Sequence, residues 1–131
     1  RYYVMIGDGE SQEGQIWEAA MTAAAQGLDN VCAIVDVNGI QLDGTVESVK
    51  SLGDLPAKWR AFGWNVIDID GHDLRAIDDA LTEAARTKGV PTTIISRTVK
   101  GKGVSFMENT AKYHGLAPTD EELTTALEEL R

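Results

Sequence analysis

One apolar run, Tyr2-Tyr3-Val4-Met5-Ile6, stops at Gly7-Asp8-Gly9, and a second, Val31 to Val35, stops at Asp36-Val37-Asn38. This pair of endings constrains the chain more than any other feature. The segment between them is rich in small residues (Ala19, Ala20, Ala23, Ala24, Ala25), which favour a helix and let it pack closely on a sheet. Strand, helix and strand in that order imply a parallel sheet, whose strands set their carboxyl ends side by side around a crevice. Asp8 and Asn38, thirty positions apart, would then face one another. A carboxylate and a side-chain carbonyl that converge suit a hard cation such as Mg²⁺, which takes oxygen ligands and shares them with phosphate. Gly7 and Gly9 let the backbone approach an anion closely, beside the N-terminus of the following helix.

The alternation continues along the chain. Ser11 to Glu13 opens a helix that runs to about Gln26, and Gly27 stops it. Gln41 and Leu42 form a short extended piece before the turn Asp43-Gly44. A helix is expected over Leu52 to Phe62, with Trp59 and Phe62 on one face and Gly63 as its stop. Asn65 to Ile69 reads as a third strand, and Asp73 as the N-cap of a helix from Leu74 to Thr87. Pro91 to Ser96 reads as a fourth strand, and Thr119 or Asp120 caps a last helix ending at Leu130. Arg97 to Pro118 is irregular, and a loop of that length inside a compact domain is usually functional or disordered. The whole reads as a single α/β domain, a parallel sheet flanked by helices.

The chain has 131 residues, enough for one domain and a modest core. A net charge of −9 argues against nucleic acid or an anionic membrane as a partner. No apolar run approaches the roughly 18 residues of a membrane span. The single Cys32 sits within an apolar strand and reads as a small core residue. It can form no internal disulfide, which fits a reducing cytoplasm. The chain begins at Arg1, almost directly in a strand and without an initiator Met, as expected of a piece of a longer polypeptide that lacks the upstream part of its domain.

Together these motifs carry a resemblance. GDG, a helix, a strand and then Asn is similar to the thiamine diphosphate motif. GDGESQEGQIWEAAMTAAAQGLDNVCAIVDVNGIQLDG, with AFGWNVIDIDGHDL, KGKGVSF and YHGLAP further on, resembles the transketolase family over nearly the whole chain. The resemblance implies that Asp8 and Asn38 give side-chain oxygens to Mg²⁺ and Ile40 its backbone carbonyl. It implies that the N–H groups around Gly7 and Gly9 face the diphosphate. His114 would reach the diphosphate and the sugar hydroxyls, and an imidazole suits that place because it titrates near neutrality. Glu13 would lie at a subunit interface and couple two active sites; as a residue at a helix start it equally serves the macrodipole. Leu42 matches an apolar position that packs on the thiazolium ring, and reads equally as an ordinary core leucine. Gly101-Lys102-Gly103 matches a loop passing that ring, but Lys100 stands where larger members often carry an apolar residue. His72, in the Asp70-Gly71-His72-Asp73 turn, reads as a turn or capping residue.

The implied enzyme moves a two-carbon ketol unit between sugar phosphates in the pentose phosphate pathway. It would be a cytoplasmic homo- or hetero-oligomer, completed by a pyrimidine-binding section or subunit that supplies the activating Glu. Two other thiamine diphosphate enzymes compete with that reading: deoxyxylulose-phosphate synthase and the α-type subunit of a 2-oxo acid dehydrogenase. QIWEAAMTAA and HGLAP favour transketolase over both. A non-catalytic remnant that binds metal and phosphate, or that only scaffolds a partner, is the rival from another class. Zinc, P-loop and nucleophile-elbow motifs are absent, and Gly7-Asp8-Gly9 lacks the third glycine of a dinucleotide fingerprint.

Overall fold

The computed structural model describes residues 1–131. In chain order the elements are β1 (Tyr2–Gly7), a 3₁₀ turn (Gly9–Gln12), α1 (Gly14–Ala25), β2 (Val31–Val37), β3 (Ile40–Gln41), β4 (Gly44–Thr45), α2 (Val46–Lys50), α3 (Leu55–Ala61), β5 (Asn65–Asp70), α4 (Leu74–Arg86), β6 (Thr92–Arg97), a 3₁₀ turn (Ala111–His114) and α5 (Asp120–Glu129). Four strands form one sheet in the order β1-β2-β6-β5, and every neighbouring pair is parallel. This is the α/β class expected from the alternating pattern. β3 and β4 make a small separate antiparallel hairpin.

Right-handed crossovers fix which face each helix covers. The steps β1 to β2 and β2 to β5 move one way across the sheet, and β5 to β6 moves back. α1 and α3 therefore share one face, and α4 takes the other. The core divides accordingly. Ile6, Ala33, Val35 and Ile95 pack with Ala20 and Ala23 of α1 and with Leu55, Trp59 and Trp64. Cys32 and Ile94 pack with Ala80 and Ala84 of α4. Cys32 is a free, fully buried thiol, as read from its strand.

The strand register positions the functional end. Gly7 pairs with Asp36, and Asp36 with Ser96, so β1, β2 and β6 finish at one level. Asp8 follows directly and its N–H binds the Asp36 carbonyl at 3.1 Å.

Three local expectations change. Ser11 and Gln12 belong to a 3₁₀ turn that ends at Glu13, whose extended backbone (φ −78°, ψ 133°) separates it from α1. The helix expected from Leu52 begins at Leu55, because Gly53 adopts φ +55° and Asp54 caps the Ala57 N–H at 2.9 Å. The short α2 was not expected; Thr45 caps it by accepting from the Ser48 N–H at 3.1 Å.

Candidate functional site

Two backbone exits meet at the carboxyl ends of β1 and β2. Asp8 is only 2% exposed. Its Oδ1 accepts the Gly9 N–H at 2.7 Å and its Oδ2 the Gly39 N–H at 2.6 Å. The second bond ties the end of β1 to the turn carrying Asn38, so the convergence inferred from strand order is present. Burial pushes the Asp8 carboxyl up from its ordinary value; the N–H groups of Gly39 and Gly9 pull it back, and the charge of Asp36 adds to the rise.

Asn38 is held on both sides. Its Oδ1 accepts the Ile40 N–H at 3.0 Å and its Nδ2 donates to Asp36 Oδ2 at 2.8 Å. An ionised carboxylate only accepts, so Asp36 fixes which end of the Asn38 amide is nitrogen. Thr98 Oγ1 donates to the other Asp36 oxygen and ties β6 into the same network.

A cavity of about 440 Å³ opens over this network, lined among others by Asp8, Glu13, Asn38, Ile40, Leu42 and His114. Gly7 and Gly9 contribute backbone to the same wall. Gly7, Asp8, Gly9, Glu13, Asn38, Ile40, Leu42 and His114 therefore lie on one cavity, whereas of the Gly101-Lys102-Gly103 stretch only the preceding Lys100 reaches it. Leu42 is 67% exposed and so lies outside the core of this chain. Its tip is 3.9 Å from where a Cβ on Gly115 would sit, so it faces the turn bearing His114 across the cavity. Glu13 makes no side-chain cap bond to α1. At Gly9 a Cβ would come within 3.0 Å of Gln41 Cβ, so the residue there has to be small.

The N–H groups expected to face a phosphate already have partners. The Gly7 N–H binds Glu10 Oε2 at 2.6 Å, and the Gly9 N–H is the one bound to Asp8. An anion reaching Gly7 must displace the Glu10 side chain.

Two further carboxylates that no motif singled out, Glu10 and Asp36, also line the cavity. Asp36 lies two residues before Asn38 on the same strand face, a spacing that could have flagged it. His72 does more than shape a turn. Its Nε2 accepts the Val99 N–H at 2.8 Å, directly before Lys100, which lines the cavity.

The site's chemistry can be tested against a cation. Each Asp8 oxygen and Asn38 Oδ1 spends one lone pair on an N–H and retains another. All are hard oxygen donors, so the residues fit Mg²⁺. No cluster of three or more His, Cys, Asp or Glu side chains forms a metal cage. Four carboxyl groups (Asp8, Glu10, Glu13, Asp36) and one lysine, Lys100, line the cavity, so its charged lining is mostly acidic.

The family profile described as transketolase, thiamine diphosphate binding domain, matches residues 1–130. The chain belongs to the transketolase family. Among its transketolase relatives is the 6-deoxy-6-sulfo-D-fructose transketolase subunit of Clostridium sp. (strain MSTE9), 47% identical over 128 residues, 98% of this chain and 46% of the relative. One of the subunits of the apulose-4-phosphate transketolase of Phocaeicola vulgatus is 44% identical over the same shares. The crystal structure of transketolase from Campylobacter jejuni superposes with a TM-score of 0.90 at 34% identity, covering 97% of this chain and 20% of that one. The chain thus spans about half the length of the curated transketolase subunits it matches. The parallel sheet with its flanking helices is the thiamine diphosphate-binding fold of transketolases. No helix is long and apolar enough to cross a membrane.

Proposed function

We propose that this chain is the diphosphate-binding section of a transketolase and holds thiamine diphosphate through Mg²⁺. One observation carries the reading: three stretches distant in sequence, Asp8, Asn38 to Leu42, and His114, line one cavity at the carboxyl ends of β1 and β2. Asp8 and Asn38 would bind the cation through side-chain oxygens, and Ile40 through its carbonyl. Bound thiamine diphosphate supplies the carbanion chemistry of ketol transfer, while the protein binds, orients and tunes its surroundings. Gly7 and Gly9 line the diphosphate end, Leu42 offers an apolar surface for the ring, and exposed His114 is free to serve the sugar hydroxyls. Glu13, unbonded at the rim, is available to a partner subunit.

The pyrimidine pocket and its activating Glu come from a second section or subunit, in a homo- or hetero-oligomer. Relatives named as subunits support that dependence. The relatives' names cover a sulfonated and a phosphorylated ketose, so the substrates of this enzyme are taken as anionic sugars, sugar phosphates first. A cytoplasmic setting agrees with the one free thiol. A place in the pentose phosphate pathway would follow from sugar phosphate substrates.

The test is calorimetric titration of thiamine diphosphate with and without Mg²⁺ into the chain paired with a pyrimidine-binding section. Wild type should bind only with Mg²⁺, and Asp8→Ala should abolish binding while the pair still assembles. Assembly without any binding by a folded wild-type pair would overturn the reading in favour of a scaffold.

A further inference from the structure

The segment between β6 and α5 gives the cavity two residues, Lys100 near its start and His114 near its end. It contains little regular structure, so something else must fix its course. Part of the hold is internal. Gly101 turns at φ +73°, where a Cβ would lie 2.6 Å from the Met107 carbonyl oxygen. The Asn109 N–H returns to the Lys100 carbonyl at 3.0 Å, and the Gly103 N–H to Glu108 Oε1 at 3.0 Å.

The remaining anchors come from α5. Glu122 accepts from Tyr113 Oη–H at 2.8 Å, from Lys112 Nζ at 2.8 Å and from the Thr119 N–H at 2.9 Å. Tyr113 is the residue before His114, and its ring packs edge-on against Phe106 with centroids 5.7 Å apart. Glu129 accepts from the Ser105 N–H at 2.5 Å and from Ser105 Oγ at 2.7 Å. Leu130, at the end of α5, closes over Gly103: a Cβ there would lie 2.9 Å from its Cδ2. Glu122 and Glu129 are seven positions apart, two helical turns, and so project from one face of α5. One grips the part of the loop leading to His114, the other the part following Lys100. Neither lines the cavity.

We propose that α5 is a two-point clamp, in which Glu122 and Glu129 act as positioning residues that set His114 and the Lys100-to-Ser105 stretch around the cofactor. This rests on the cofactor reading of the cavity. If the two glutamates merely stabilised α5, the loop bonds would be incidental. Tyr113→Phe separates these cases. It removes the hydroxyl that donates to Glu122 and accepts from Lys112 Nζ at 2.9 Å, and keeps the ring packing, the Lys112 bond to Glu122 and the capping box formed by Thr119 and Glu122.

Two measurements decide it, on Tyr113→Phe and Glu129→Gln beside wild type. Hydrogen exchange of the chain reads the clamp directly. Exchange over residues 105–118 should rise in both variants, with α5 unchanged in Tyr113→Phe. Calorimetry with thiamine diphosphate and Mg²⁺ on the complex with the pyrimidine-binding section reads positioning. Binding should weaken on the order of tenfold, as expected for loss of a hydrogen bond to a charged group. Loop exchange unchanged in both variants overturns the clamp. Raised exchange with unchanged affinity overturns its positioning role. Wild type that fails to bind would sink the cofactor reading instead, while exchange still decides the clamp.

Discussion

Asp8 and Glu122 are carboxylates shifted in opposite directions for opposite reasons. Asp8 is buried, and burial raises its pKa despite two N–H bonds. Its ionised form is therefore disfavoured in the fold, and a bound cation would relieve that cost. With Mg²⁺ and thiamine diphosphate at a hundred times their dissociation constant, the paired protein should gain about 2.7 kcal/mol of stability. Asp8→Ala should show no gain, which denaturant titration with and without ligand would reveal. Glu122 is half-buried, and Lys112, the Thr119 N–H and Tyr113 lower its pKa from 4.5 to about 2. A lowered carboxyl contributes stability above its unfolded pKa and loses it as pH falls through the folded one. The stability difference between wild type and Glu122→Gln should therefore be constant above pH 4.5 and shrink toward pH 2; a difference that shrank on going alkaline would contradict this. The places of Asp8 and Asn38 were legible in the sequence because each follows an apolar run that ends at the same edge of the sheet, whereas His114 stood out only through the resemblance carried by Tyr113 to Pro118. Glu10, Asp36 and Glu122 were not legible, because their roles depend on which N–H or hydroxyl the folded chain brings to them.

Among the elements, the pairing of α1 with α3 is mainly aromatic. Trp17 lies 5.3 Å from both Trp59 and Phe62, and Trp59 lies 4.8 Å from Trp64 by ring centroid. Trp64 donates its Nε1–H to the Ala20 carbonyl at 2.9 Å, whereas the buried Nε1 of Trp59 has no partner. Trp59→Ala should cost about 3–5 kcal/mol, the usual range for emptying an aromatic core site. Trp59→Phe should cost clearly less, since no hydrogen bond is lost and part of the volume remains. Chemical denaturation of both variants checks the order, and equal costs would show that the retained ring contributes nothing there. Helical spacing placed Trp59 and Phe62 on one face, and the class of every main-sheet strand followed from its apolar run. The order β1-β2-β6-β5 was not readable, because nothing local to β6 says that it inserts between β2 and β5. The break at Glu13 and the start of α3 depend on single backbone angles, which weak residue preferences do not fix.

At the scale of the molecule, the sheet is covered unevenly. α4 shields β6, β5 and part of β2, but β1 is an edge strand with no neighbour on its outer side. Tyr2, Tyr3 and Met5 are 68%, 55% and 69% exposed. Met5 and Ile34 also line an open groove of about 400 Å³ beside Ile77 and Leu81 of α4. An unpaired strand edge next to an exposed apolar face is a template for pairing with another chain, and natural edges are usually blunted by charge or cover. β1 carries neither along Tyr2 to Ile6. The chain by itself should therefore self-associate. Sedimentation velocity over a range of concentrations should show species heavier than the 14.2 kDa monomer, increasing with concentration. Tyr3→Lys puts a charge on the exposed edge strand away from the groove that Asp36 and Thr98 share, and should shift the population toward monomer while leaving the circular dichroism spectrum intact. A wild-type chain that stays monomeric throughout would mean that the edge is protected by its own twist and loops, and the charge substitution should then change nothing.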